Sequence, residues 1–159
     1  MRIGYDFNSA IADIIDNSIT AKAKKIYINC PPEADNPFLS IVDNGIGMGP
    51  EELIQNMRIG CKDPNQKREA GDLGRFGSGM KTASFSHARR LTVISRKKGK
   101  KIAAACWDID EIEDKNAWCL RELNEKDIQD LDHIDKELIK GVGTQLIWEK
   151  IKKFEETDH

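Results

Sequence analysis

The first apolar pattern in the chain is helical. Ile11, Ile14, Ile15 and Ile19 recur at spacings of three and four, while Asp13, Asp16, Asn17 and Thr20 take the opposite side. With Asn8 or Ser9 as N-cap, the pattern predicts a helix running to about residue 23. The alternation of KIYINC predicts a strand over residues 25–30, and the more apolar FLSIV a buried one over 38–42. Pro50 opens a short helix over 51–57. Residues 59–75 then carry few apolar positions, three glycines and one proline, the pattern of a long functional loop. Regularity returns with a helix over 79–87 and strands over 91–96 and 102–107 around the turn KKGKK. A strand over 118–123, an amphipathic helix over 125–139 and a strand over 143–148 follow. Residues 151–159 read as a charged tail that frays. Together these elements predict an α/β (α+β) two-layer sandwich, a mixed and largely antiparallel sheet with helices on one face.

Composition narrows the function classes. A chain of 159 residues suits one compact domain. Against 27 Asp+Glu stand 25 Lys+Arg, a net charge of −2 that gives no global attraction to nucleic acid or to an anionic membrane. No apolar run approaches the ~20 residues of a membrane span, and MRIGYDFNSA has no signal-peptide core. Cys30, Cys61, Cys106 and Cys119 form no CxxC pair, and His87, His133 and His159 are scattered. Zinc sites and disulfide frameworks are thereby disfavoured, and free thiols in a reducing cytoplasm are expected. The 12 glycines are ordinary in number, but eight lie between Gly45 and Gly79.

Four segments carry candidate chemistry. Asp13 and Asn17, four apart, share one side of the first helix, a carboxylate able to take a proton from water and an amide oxygen able to ligate a hard cation. Taken alone, a solvated polar face opposite an isoleucine stripe explains the pair better. Asp43-Asn44-Gly45-Ile46-Gly47-Met48 follows the buried strand. Its glycines permit positive φ and close backbone approach, and the aspartate can accept from an exocyclic amine. A type I′ turn explains Asn-Gly equally well but does not need the second glycine. Gly74-Arg75-Phe76-Gly77-Ser78-Gly79-Met80-Lys81-Thr82 suits a phosphate cradle ahead of a helix, and is neither a Walker A loop nor a Rossmann fingerprint. Gly141-Val142-Gly143-Thr144 leads into the last strand.

In chain order, ADIIDNSITA, VDNGIGM, GRFGSGMKTAS and GTQLIW resemble the four nucleotide-site motifs of the GHKL ATPases, the superfamily of gyrase, heat-shock chaperones, histidine kinases and MutL. DNSITAKA and GRFGSGMK look most like the MutL, heat-shock chaperone and microrchidia branches. The resemblance implies a Bergerat-type fold over residues 1–150 with a lid at about 59–80, and ATP and Mg²⁺ as cofactors. It implies Asn17 as the Mg²⁺ ligand and Asp13 in place of the glutamate that activates water. Asp43 would read the adenine amine, with Gly45, Gly47 and Met48 lining its pocket and Thr144 assisting. Asn56 would contact sugar or phosphate, and Gly74, Phe76, Gly77, Ser78, Gly79, Met80 and Lys81 would form the lid and phosphate loop.

Mg-dependent ATP binding with slow hydrolysis, working as the switch of a larger protein, is the expected function. Asp13 is one methylene shorter than the usual glutamate, so a nucleotide-gated interaction module without productive turnover is the alternative. A histidine-kinase-like phosphotransfer domain is a weaker one. The chain stops soon after the fourth motif, which suggests a fragment. A C-terminal partner domain and a nucleotide-dependent dimer are the partners the resemblance implies.

Overall fold

The computed structural model describes residues 7–31, 35–58, 80–81 and 83–152. Helix α1 (Phe7–Thr20) leads into strands β1 (Ile26–Asn29) and β2 (Leu39–Asp43), then helix α2 (Pro50–Arg58). Helix α3 spans 80–87, with residue 82 undescribed. Then come β3 (Ala88–Arg96), β4 (Ala103–Asp108), α4 (Ile109–Lys115), β5 (Arg121–Leu123), α5 (Glu125–Gln129), α6 (Lys136–Lys140) and β6 (Gly143–Ile151). The strands form one six-stranded sheet in the order β1-β2-β6-β3-β4-β5. Each of its pairings is antiparallel. The last strand in sequence thus lies between β2 and β3, at the centre.

Alternation along the strands divides the apolar residues between two faces. Leu39, Ile41, Leu91, Val93, Ala105, Trp107, Leu146 and Trp148 pack against α1, α2, α3 and α4 through Ala10, Ile14, Leu53, Met57, Met80, Ala83 and Ile112. Two indole N–H groups fasten this layer. Trp107 Nε1 donates to Met57 O at 2.9 Å, and Trp148 Nε1 to Ser84 Oγ at 2.7 Å. On the other face Ile94, Ala104 and Ile147 form a smaller cluster with Ile128 and Leu138 of α5 and α6. The helices expected on one face are therefore the four longer ones, with two five-residue helices capping the other.

Several boundaries differ from the sequence pattern, each for a physical reason. Helix α1 ends at Thr20, because Lys22 enters the left-handed region at φ 60°. Its buried stripe is Ala10, Ile14 and Ser18, and Ile19, expected inside, is 61% exposed. The helix expected over 125–139 is two helices. Asn124 and Asp127 form a capping box at the first, and the Asp135 side chain caps the second. Between them buried Gln145 captures the backbone, its Nε2 donating to His133 O and its Oε1 accepting from Asp135 N–H. Helix α4 escaped the pattern altogether; the Asp108 side chain starts it by accepting from Asp110 N–H. The strand expected over 118–123 is confined to β5, and β6 reaches Ile151 at the edge of the supposed tail. Residues 153–159 lie outside the described residues.

Candidate functional site

Antiparallel register brings three polar residues into one row on the helix-covered face. Asp43 at the end of β2 faces Thr144 on β6, and Thr144 faces Ser95 on β3. Asp43 is 7% exposed and Ser95 fully buried. A carboxylate so placed needs donors. Ser18 Oγ of α1 donates to its Oδ2 at 2.8 Å, and Gly45 N–H to its Oδ1 at 2.9 Å. Burial pushes the Asp43 carboxyl above the usual aspartate range, although bonds from Gly45, Ser18 and the Thr144 backbone pull the other way.

The loop after β2 is held on both sides. Ile46 N–H donates to Ala21 O at 2.9 Å, and Asn44 Oδ1 accepts from Lys24 and Lys25 N–H at 2.8 Å each. Met48 N–H donates to Ser95 Oγ at 2.8 Å. Gly47 has the positive φ that its position suggested, 71°. The close approach it allows is of the protein's own backbone, since a Cβ there would lie 2.0 Å from Arg96 O. Gly143, at φ 148°, makes the same allowance for Asp43 O, also at 2.0 Å. These glycines therefore let β2, β3 and β6 converge tightly around the aspartate.

Of the residues singled out from sequence, Asp43, Gly45, Gly47, Met48 and Thr144 stand together. Asn17, half-buried on α1, is next in the chain to the Ser18 that bonds Asp43, and Asp13 lies one turn earlier. Asn56 is 4% exposed, with Nδ2 donating to Met48 Sδ at 3.1 Å, so its amide braces Met48. Met80 is buried in the core. The Lys81 ammonium sits 4.4 Å from the Trp107 ring centroid and 5.1 Å from that of Trp118. Gly74, Phe76, Gly77, Ser78 and Gly79 lie outside the described residues. A cavity of about 420 Å³ opens elsewhere, beside the β3–β4 turn between Lys100, Ile102 and Ile128, and contains none of these residues.

Two site residues escaped the sequence reading. Ser18 stands four beyond Ile14 and eight beyond Ala10, a buried helical stripe ending in a hydroxyl. Ser95 gives no local signal, because its partners are fixed by sheet register. Among the described residues no three His, Cys, Asp or Glu side chains cluster as a metal cage. The donor set near Asn17 is one neutral amide oxygen with a carboxylate a turn away. Such a set fits Mg²⁺ only where phosphate and water oxygens complete the octahedron.

Comparison with known families matches residues 5–141 to the Histidine kinase-, DNA gyrase B-, and HSP90-like ATPases. The chain belongs to that family, the GHKL superfamily, and its antiparallel sheet with helices is the fold expected for it. It is similar to ATPase morc-1 of Caenorhabditis elegans, 31% identical over 57% of this chain and 10% of that protein. The chaperone protein HtpG of Clostridium acetobutylicum is 34% identical over 52% of this chain and 14% of its own length. Protein MICRORCHIDIA 7 of Arabidopsis thaliana is 31% identical over 57% of this chain and 13% of its own. The chain thus spans a small part of each relative's length. Family membership supports nucleotide binding and ATPase activity in general terms. No helix among the described residues is long and apolar enough to cross a membrane.

Proposed function

We propose that this domain binds ATP with Mg²⁺, hydrolyses it slowly and serves as the nucleotide-driven switch of a larger protein. One observation carries the reading: a buried carboxylate, Asp43, held by Ser18 and Gly45 beside Thr144. Ser18, Gly45 and the Thr144 backbone already bond to it from within, and its remaining acceptor capacity suits an exocyclic amine such as that of adenine. Met48 would form a wall of the adenine pocket, held by the Asn56 amide that donates to its Sδ.

Asn17 would hold the magnesium ion, which supplies charge neutralisation for the triphosphate when bound. Asp13, on the same helix, would orient the attacking water and accept its proton. Gly74, Phe76, Gly77, Ser78, Gly79 and Lys81 are assigned to the phosphates by resemblance. Closing residues 59–80 over nucleotide would couple its state to a dimer partner or a following domain. A cytoplasmic setting fits the free thiols.

Steady-state phosphate release at saturating Mg-ATP tests the reading. Release above background that disappears in Asp13→Asn, with ATP binding retained, supports hydrolysis. Binding without release in the parent chain favours the interaction-module reading instead, for which the short Asp13 side chain is the motivating observation.

A further inference from the structure

Ser95 is the one member of the polar row whose chemistry the proposed ATP site does not yet use. Its hydroxyl is buried and touches three groups: Met48 N–H at 2.8 Å, Gly143 O at 3.0 Å and Thr144 Oγ1 at 2.7 Å. Met48 N–H can only donate and Gly143 O can only accept. A serine hydroxyl has one proton and two lone pairs. With its proton on Gly143 O and one lone pair taken by Met48, Ser95 is left to accept the proton of Thr144. In that arrangement Thr144 turns only lone pairs toward the pocket. When a ligand draws the Thr144 proton outward, Ser95 can turn its own proton from Gly143 O to Thr144 Oγ1. No bond is broken other than hydrogen bonds.

The geometry points to Ser95 as a specificity-determining residue that gives the Thr144 proton a place to return to, making the site tolerant at the ring atom beside the ligand's exocyclic amine. The inference deepens the proposed ATP reading and rests on it. In a 6-aminopurine the atom beside the amine is N1, an acceptor that the Thr144 hydroxyl can meet directly or through one water. Against a ring lacking that acceptor, Thr144 turns back to Ser95 and no donor is stranded. Without Ser95, the same ligand covers a Thr144 proton that has no acceptor, and a donor cut off from water without a partner is costly.

The experiment compares ATP with 1-deaza-ATP, in which C–H replaces N1, by calorimetry on the full chain. The parent is expected to prefer ATP only a few-fold. In Ser95→Ala the preference rises roughly tenfold further, whatever happens to overall affinity. Ser95→Cys, which keeps the volume and offers a weak acceptor, gives an intermediate rise and serves where the alanine variant folds poorly. Thr144→Val brings the preference close to one. A purely structural Ser95 would weaken both nucleotides equally, so an unchanged or smaller preference in both Ser95 variants overturns the inference while leaving ATP binding in place. A parent chain that binds neither nucleotide overturns the ATP reading and this inference with it.

Discussion

Ser18 and Asp43, 25 positions apart, are joined by a hydroxyl-to-carboxylate hydrogen bond of 2.8 Å. That bond ties the last turn of α1 to the end of β2, so the helix carrying Asp13 and Asn17 has its position set by the residue assigned to the base. Ser18→Ala removes a donor that lowers the Asp43 pKa. The carboxyl should therefore rise further, and ATP binding should fade at a higher pH than in the parent. Affinity at neutral pH should fall roughly tenfold, with a stability cost of about 1.5 kcal/mol. Calorimetric titrations from neutral pH downward compare the two acid limbs. An acid limb that does not move contradicts this role.

Asp43 itself is expected to cost stability when ionised. Its folded pKa lies above the unfolded value, with burial as the main cause. The folded state therefore binds the proton more tightly than the unfolded chain. The stabilisation linked to that proton is fully present below the unfolded pKa and is lost as pH rises through the folded one. Asp43→Asn removes this loss. The variant should melt at or above the parent temperature at pH 7, and its advantage should vanish as pH falls toward the unfolded aspartate value of 3.8. Thermal melts of both proteins over that range supply the check; a variant that is much less stable at pH 7 contradicts the sign.

Gly47 and Gly99 both have positive φ, 71° and 78°, but in different surroundings. A Cβ on Gly47 would meet Arg96 O at 2.0 Å, whereas one on Gly99 meets nothing within 4 Å. Gly99→Ala should cost about 1 kcal/mol, the left-handed penalty alone. Gly47→Ala should cost about 3 kcal/mol or more, because backbone must move as well. Denaturant melts that rank the two equally would remove the case for tight convergence of the strands at Gly47.

These contrasts show what local sequence could reveal. The strands and the α1 and α2 helices were legible because their alternation or 3.6-residue period is carried by adjacent side chains. Asp43 and its glycines were legible because they follow a buried strand. Ile19 is exposed although it shares the isoleucine spacing, because tertiary contact with Asp43 centres the buried side of α1 on Ala10, Ile14 and Ser18. Long-range register accounts for the other misses. Ser95 meets its partners across 47 to 49 residues, and Gln145 interrupts an otherwise continuous helical pattern from another strand.

Lys81 offers a spectroscopic test of the phosphate assignment. Its ammonium contacts Trp107 and Trp118, and Trp118 is 61% exposed. An ammonium drawn toward phosphate would leave at least the outer indole. Mg-ATP should then change tryptophan emission, Trp118→Phe should remove most of the change, and Lys81→Met should abolish it. Emission that responds to Mg-ATP equally in the Lys81 variant would place the lysine outside the phosphate site.

One calorimetric comparison decides whether Asp43 makes this fold an ATP site. The parent chain and Asp43→Asn are titrated with ATP, each with and without Mg²⁺, after circular dichroism shows both to be folded. Saturable binding by the parent, stronger with Mg²⁺, and no measurable binding by the variant are expected. Equal binding by the two folded proteins would contradict that role for Asp43.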